Sequence, residues 1–143
     1  MSSRSPLHKL FFQEPAGRFG LGHVLANALP CKELERLERD DVGCWQCDLA
    51  NHDALSWSKK VYEIFGLPHG EPISRGNVVK QYRDHSRGVL ERLRAYAINR
   101  RCGFILDAEI SPPGGKSLWI RILATPALED GRVIGLHGLK RML

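Results

Sequence analysis

The segment Gly43-Cys44-Trp45-Gln46-Cys47-Asp48-Leu49 constrains the fold of this chain more than any other. Trp45, Cys47 and Leu49 alternate with Cys44, Gln46 and Asp48, so one face is apolar and the other is polar apart from a thiol, the pattern of a half-buried strand. The same residues contain a Cys44-x-x-Cys47 pair, a spacing also used by dithiol redox sites and zinc sites. The two readings conflict. Strand side chains three apart point to opposite faces, and the sequence offers no second pair of metal ligands. The strand reading is the better one, and the cysteines are expected to be packing thiols.

The residues that follow extend this pattern into a domain. Asn51-His52-Asp53 is a turn signal leading into Leu55-Ser56-Trp57, which predicts a hairpin. Ser58 is placed to cap a helix whose apolar residues Val61, Tyr62, Ile64 and Phe65 stop at Gly66. A Gly/Pro-rich loop (68–76) and a short helical segment (77–82) precede a longer helix from Asp84 or His85 to Arg101, with Val89, Leu90, Leu93, Ala97 and Ile98 facing inward. Three strands close the chain: 104–110, 118–125, and 133–139 after the Asp130-Gly131 hairpin. The order β-β-α-α-α-β-β-β predicts an α+β domain, a five-stranded antiparallel sheet with helices on one face, enclosing a small apolar cavity.

Residues 1–40 read differently and form a predicted N-terminal helical extension to a domain spanning 41–143. Leu21, Val24, Leu25, Ala28 and Leu29 recur at helical spacing, Pro30 interrupts them, and 32–39 is a short charged helix with Leu34 and Leu37 to bury. That first stripe is the candidate surface for a homodimer or another partner; folding back on the chain's own sheet is the competing expectation. With 143 residues the chain is one domain by length, and no apolar run approaches the ~20 residues that span a bilayer. No secretory pattern opens the sequence, so a cytoplasmic protein with reduced thiols and no membrane insertion is expected.

The segments resemble the PAS domain family. Gly43, Trp45, Asp48, Leu49, Trp57, Ser58, Tyr62, Phe65 and Gly66 match in order and spacing the PAS subfamily that opens Gly-x-Trp-x-x-Asp-Leu. Phe104, Gly115, Trp119-Ile120, Asp130-Gly131-Arg132 and Gly138 match its closing strands. The sequence departs from the family pattern at Tyr82-Arg83-Asp84-His85, where His-Pro-Asp-Asp is common, and at Glu109 and Leu118, where arginine is common. Met142-Leu143 stands where PAS domains wired to an output domain carry Asp-Ile. The resemblance implies a single-domain sensory and interaction module of bacterial-type signal transduction, acting by contact: dimerisation or docking on other signalling proteins, with a small ligand in the cavity as a possible gate. Trp45, Cys47, Phe65, Val89, Leu93, Leu106, Ile120, Ile122 and Leu136 are the residues expected to line that cavity.

Other chemistries are weaker. Haem through His85 is an alternative to the expectation of no cofactor, but His85 falls at a helix start, and no helical Asn-Cys-Arg-Phe-like run suggests flavin photochemistry. The net charge of +5 and the arginines at 83, 87, 92, 94, 100 and 101 raise a nucleic-acid-binding or transcription-associated alternative. Neither a helix-turn-helix nor aromatic-basic interleaving accompanies them, so an acidic protein partner is the more natural reading. The sequence has no Gly-x-Ser-x-Gly and no phosphate-cradling loop, and no enzymatic activity is expected.

Overall fold

The computed structural model describes residues 6–14 and 17–143; residues 1–5 and 15–16 of the predicted extension lie outside the described residues. The elements run α1 (Pro6–Phe11), β1 (His23–Leu25), α2 (Cys31–Glu35), β2 (Val42–Asp48), β3 (Ala54–Trp57), α3 (Lys59–Ile64), α4 (Arg75–Val79), α5 (Asp84–Arg100), β4 (Gly103–Ile110), β5 (Leu118–Glu129) and β6 (Arg132–Met142). All strand pairs are antiparallel, in the order β1-β4-β5-β6-β2-β3.

The α+β class holds, with two corrections. The sheet has six strands instead of five, and helices lie on both of its faces. On the inner face, α3, α4 and α5 bring Val61, Phe65, Val78 and Ala97 against Phe104, Leu106, Ile122 and Leu136. On the outer face, Leu7, Phe11, Leu34 and Leu37 cover Ile105, Leu123 and Leu139. Strands buried on both sides lose the polar alternation of a half-exposed sheet, which is why Phe104-Ile105-Leu106 reads as a continuous apolar run.

The predicted helix through Leu21, Val24, Leu25, Ala28 and Leu29 does not form. Val24 and Leu25 lie in β1, paired with Phe104 and Gly103 of β4, and Gly22 just before it has φ +89°, a conformation no helix contains. A helix here would leave the β4 edge unpaired, whereas β1 satisfies its backbone donors and acceptors. Leu25 and Leu29 turn onto the outer face, and Thr125 Oγ1 accepts the Leu29 N–H at 2.7 Å. Leu21 and Val24 stay exposed.

A buried ion pair fastens this segment to the sheet. On the outer face, Arg121 of β5 donates to both carboxylate oxygens of Asp107 on β4, at 2.7 and 2.8 Å, with both side chains fully buried. Asp107 also accepts the Phe19 N–H at 3.1 Å, and Phe19 O accepts the Asp107 N–H at 3.0 Å. The Arg121 guanidinium further donates to the carbonyls of Leu10 (2.9 Å) and Gln13, while Arg141 of β6 donates to Phe11 O at 2.8 Å. The Leu10 and Phe11 carbonyls close α1 and that of Gln13 follows it, so two cations meet the negative end of its backbone.

Candidate ligand cavity

The opening motif positions the cavity wall. Gly43 is required because a Cβ there would lie 2.5 Å from Val61 Cγ2 and 2.9 Å from the Val61 nitrogen, so only glycine lets α3 close on β2. Ser58 precedes α3 as predicted, but its hydroxyl does not cap the helix; it accepts the Cys44 N–H at 2.9 Å and ties the start of α3 to the backbone of β2. Trp45 and Cys47 therefore point inward beneath α3, α4 and α5, while Cys44 is exposed on the other side. Burial raises the pKa of both thiols, with Glu38 adding to the effect at Cys44 and Asp53 at Cys47. Thiols on opposite faces, both held in the protonated form, make neither a reactive dithiol nor a metal clamp.

Between the inner sheet face and α4–α5 lies a cavity with about 70 Å³ open to the centre of a water molecule. At roughly 30 Å³ per water in the liquid, it has room for about two waters or a compound of similar size. Of the residues expected from sequence, Trp45, Cys47, Ile122 and Leu136 line it. Phe65, Leu106 and Ile120 belong to the surrounding core. Val89 and Leu93 pack with the same core and also edge an outer groove with Leu21, Val24, Arg92 and Tyr96.

The sequence reading missed the most consequential lining residue, Lys140 of β6. Its side chain is buried, and its Nζ lies 4.8 Å from the ring centroid of Phe65, 5.3 Å from Trp45, 5.7 Å from Trp57 and 5.9 Å from Tyr82. All four distances are within cation–π range. The cage is itself braced, since Trp57 stacks on Phe65 at 4.8 Å. Lys140 donates to the Tyr82 hydroxyl at 3.3 Å. Burial lowers the amine to about 7 and pushes the Tyr82 phenol well up, so Tyr82 stays a neutral phenol that accepts from Lys140. The sequence carries a signal for Lys140: Leu136 is expected to face inward, and the two-residue period brings the same face to Gly138 and Lys140. The ordinary exposure of lysine argues against following that period.

Arg75 and Arg94 complete the polar wall, each already paired: Arg75 with Glu91, and Arg94 with Asp53 at 3.0 Å. Arg87, counted among the surface arginines, donates to the carbonyls of Val79 and Tyr82 and joins α4 to α5. His85 is exposed and outside the cavity, its ring 5.9 Å from that of Trp119. No group of three or more His, Cys, Asp or Glu suited to a metal occurs among the described residues.

No family model matches the chain, and no curated protein matches it. Solved structures do. The N-terminal domain of a diguanylate cyclase with PAS/PAC sensor from Marinobacter aquaeolei superposes with a TM-score of 0.63 at 16% identity, over 71% of this chain and 94% of that one. The PAS domain of a protein from Colwellia psychrerythraea gives 0.60 at 15% identity, over 79% and 92%.

The chain has the PAS fold.

An RNA-binding light-oxygen-voltage receptor is also similar, with a TM-score of 0.63 at 13% identity, covering 72% of this chain; the chain spans only 29% of that receptor. The PAS cavity here does not fit a flavin. Its free space of about 70 Å³ is roughly two waters in size, far less than a three-ring isoalloxazine needs. No helix of the described residues is long and apolar enough to cross a membrane.

Proposed function

We propose that this chain is a sensory and interaction module of a signalling system. A small ligand in the PAS cavity sets how firmly the N-terminal segment is held, and a second copy of the chain docks on the outer sheet face when that segment loosens. The supporting observation is the order of residues along β6. Leu136 and Lys140 face the cavity, while between and beside them Leu139 packs under the N-terminal segment and Arg141 holds the Phe11 carbonyl. A displacement of Lys140 by a ligand is transmitted to both outer contacts by one peptide unit on either side. Neighbouring PAS structures come from a diguanylate cyclase and from a sensory box histidine kinase/response regulator of Burkholderia thailandensis, which agrees with such a role.

Phe11→Asp tests the reading. Phe11 is fully buried on the outer face, so a carboxylate there dislodges α1 and bares Ile105, Leu123 and Leu139 without touching the inner core. The expected result is a shift toward dimer in light scattering, with the near-ultraviolet dichroism of Trp45 and Trp57 preserved. A folded variant with exchange-labile α1 amides and an unchanged mass refutes it. The nucleic-acid alternative has less support, because Arg87 and Arg94 of the basic helix are committed to partners inside the chain.

A further inference from the structure

The ammonium of Lys140 has an aromatic cage but no counter-charge. Its hydrogen-bond partner is a neutral phenol, and no carboxylate lies within ion-pairing distance of Nζ among the described residues. A buried cation in that condition has its desolvation cost offset only in part, by the ring faces, with no opposite charge to balance it. The other charged groups around it reinforce the imbalance. From α4 comes Arg75, from α5 come Arg94 and Glu91, and from the turn before β3 comes Asp53; the two carboxylates are engaged by the two arginines. From β2 comes Cys47, a thiol that burial keeps protonated, and from the α4–α5 link comes Tyr82. The lining thus has three basic side chains, one of them unpaired and adjoining free space.

We propose that the cavity binds a short-chain carboxylate, whose oxygens accept hydrogen bonds from Lys140 Nζ and whose apolar tail lies along Trp45, Ile122 and Leu136. Charge selects an anion, since the ligand supplies the counter-charge that the fold omits. Size selects the smallest carboxylates, since the free space of about 70 Å³ has room for roughly two waters. The aromatic walls select an apolar body over a second charged group, and their faces favour the ammonium form of Lys140 that the carboxylate requires.

The pairing has a proton signature. Free, the amine is held down to about 7 by burial. A carboxylate beside it favours the charged form and raises it again. Above about pH 7 the free chain has therefore lost a proton that the complex retains, and binding takes one up. Affinity should be flat from mildly acid pH to about 7, then fall about tenfold per pH unit.

This inference rests on the reading of the chain as a ligand-gated PAS module. Its test is titration calorimetry on the full chain with acetate, propionate and pyruvate, using acetamide as the uncharged control, in two buffers of different ionisation enthalpy. The expected result is binding of one or more carboxylates, none of acetamide, and uptake approaching one proton per ligand at about pH 8.5. Lys140→Met should abolish binding while keeping the near-ultraviolet dichroism of the cage. The carbon-13 signal of the Lys140 Cε should titrate near neutrality in the free protein and at higher pH with ligand. Acetamide binding as well as acetate, full affinity in Lys140→Met, or no binding by any of the three carboxylates overturns the proposal. Carboxylate binding that leaves the oligomeric state and α1 exchange unchanged supports this inference and counts against the gating reading alone.

Discussion

Replacing Lys140 with methionine should make the protein more stable, although it removes a hydrogen bond and four cation–π contacts. Folding lowers the amine from 10.5 to about 7, which at roughly 1.4 kcal/mol per unit sets a ceiling of about 5 kcal/mol on the cost of burying it. Attraction to the ring faces opposes this by roughly 1–2 kcal/mol in a desolvated site. A net gain of about 3 kcal/mol at neutral pH follows for methionine, which has a similar length, no charge to desolvate and a favourable contact with aromatic rings. The pH dependence gives a second, sharper check. Between about 7 and 10.5 the unfolded chain holds a proton at Lys140 that the folded chain has released. Wild-type stability should therefore rise with pH relative to the variant across that window, by up to about 1.4 kcal/mol per unit. The gap between the two proteins is greatest below about pH 7 and narrows as pH rises. Urea unfolding followed by tryptophan fluorescence, run on both proteins from about pH 6 to about 9.5, measures it. A variant less stable than wild type at neutral pH, or a gap that stays constant through the window, would refute the reasoning.

Asp107→Ala leaves the buried Arg121 guanidinium without its carboxylate and should cost roughly 3–5 kcal/mol. Denaturant unfolding reads the loss, and hydrogen exchange should rise first around Phe19, whose N–H loses its acceptor; a loss under about 1 kcal/mol would mean the pair does not fasten the segment. Thiol alkylation followed by mass spectrometry should modify Cys31 first and Cys44 more slowly, because burial and Glu38 raise the Cys44 thiol, with buried Cys47 and Cys102 last. Simultaneous reaction of Cys44 and Cys47, or stoichiometric zinc binding by the pair, would restore the dithiol reading.

The inner half of the domain is legible from local patterns in the chain. The two-residue period from Gly43 to Leu49, the helical stripe ending at Gly66, the inward positions of α5 and the Asp130-Gly131 turn all depend on interactions between residues close in sequence. Asp130 and Gly131 take left-handed conformations, φ 51° and 75°, as a two-residue hairpin requires. Trp45, Cys47, Ile122 and Leu136 reach the cavity because strand alternation alone sets which way they point.

The outer half and the chemistry of the cavity depend on contacts between residues far apart in the chain. Leu21–Leu29 has helical spacing, yet an open β4 edge some eighty residues away recruits part of it as β1, a choice no local window contains. Asp107 and Arg121 look like ordinary strand charges until the sheet register pairs them directly and the N-terminal segment seals them from water. Lys140 has the alternation of an inward residue and the composition of an outward one. The conflict is settled by Trp45, Trp57, Phe65 and Tyr82, drawn from β2, β3, α3 and the α4–α5 link, which converge on one amine only once the chain is folded.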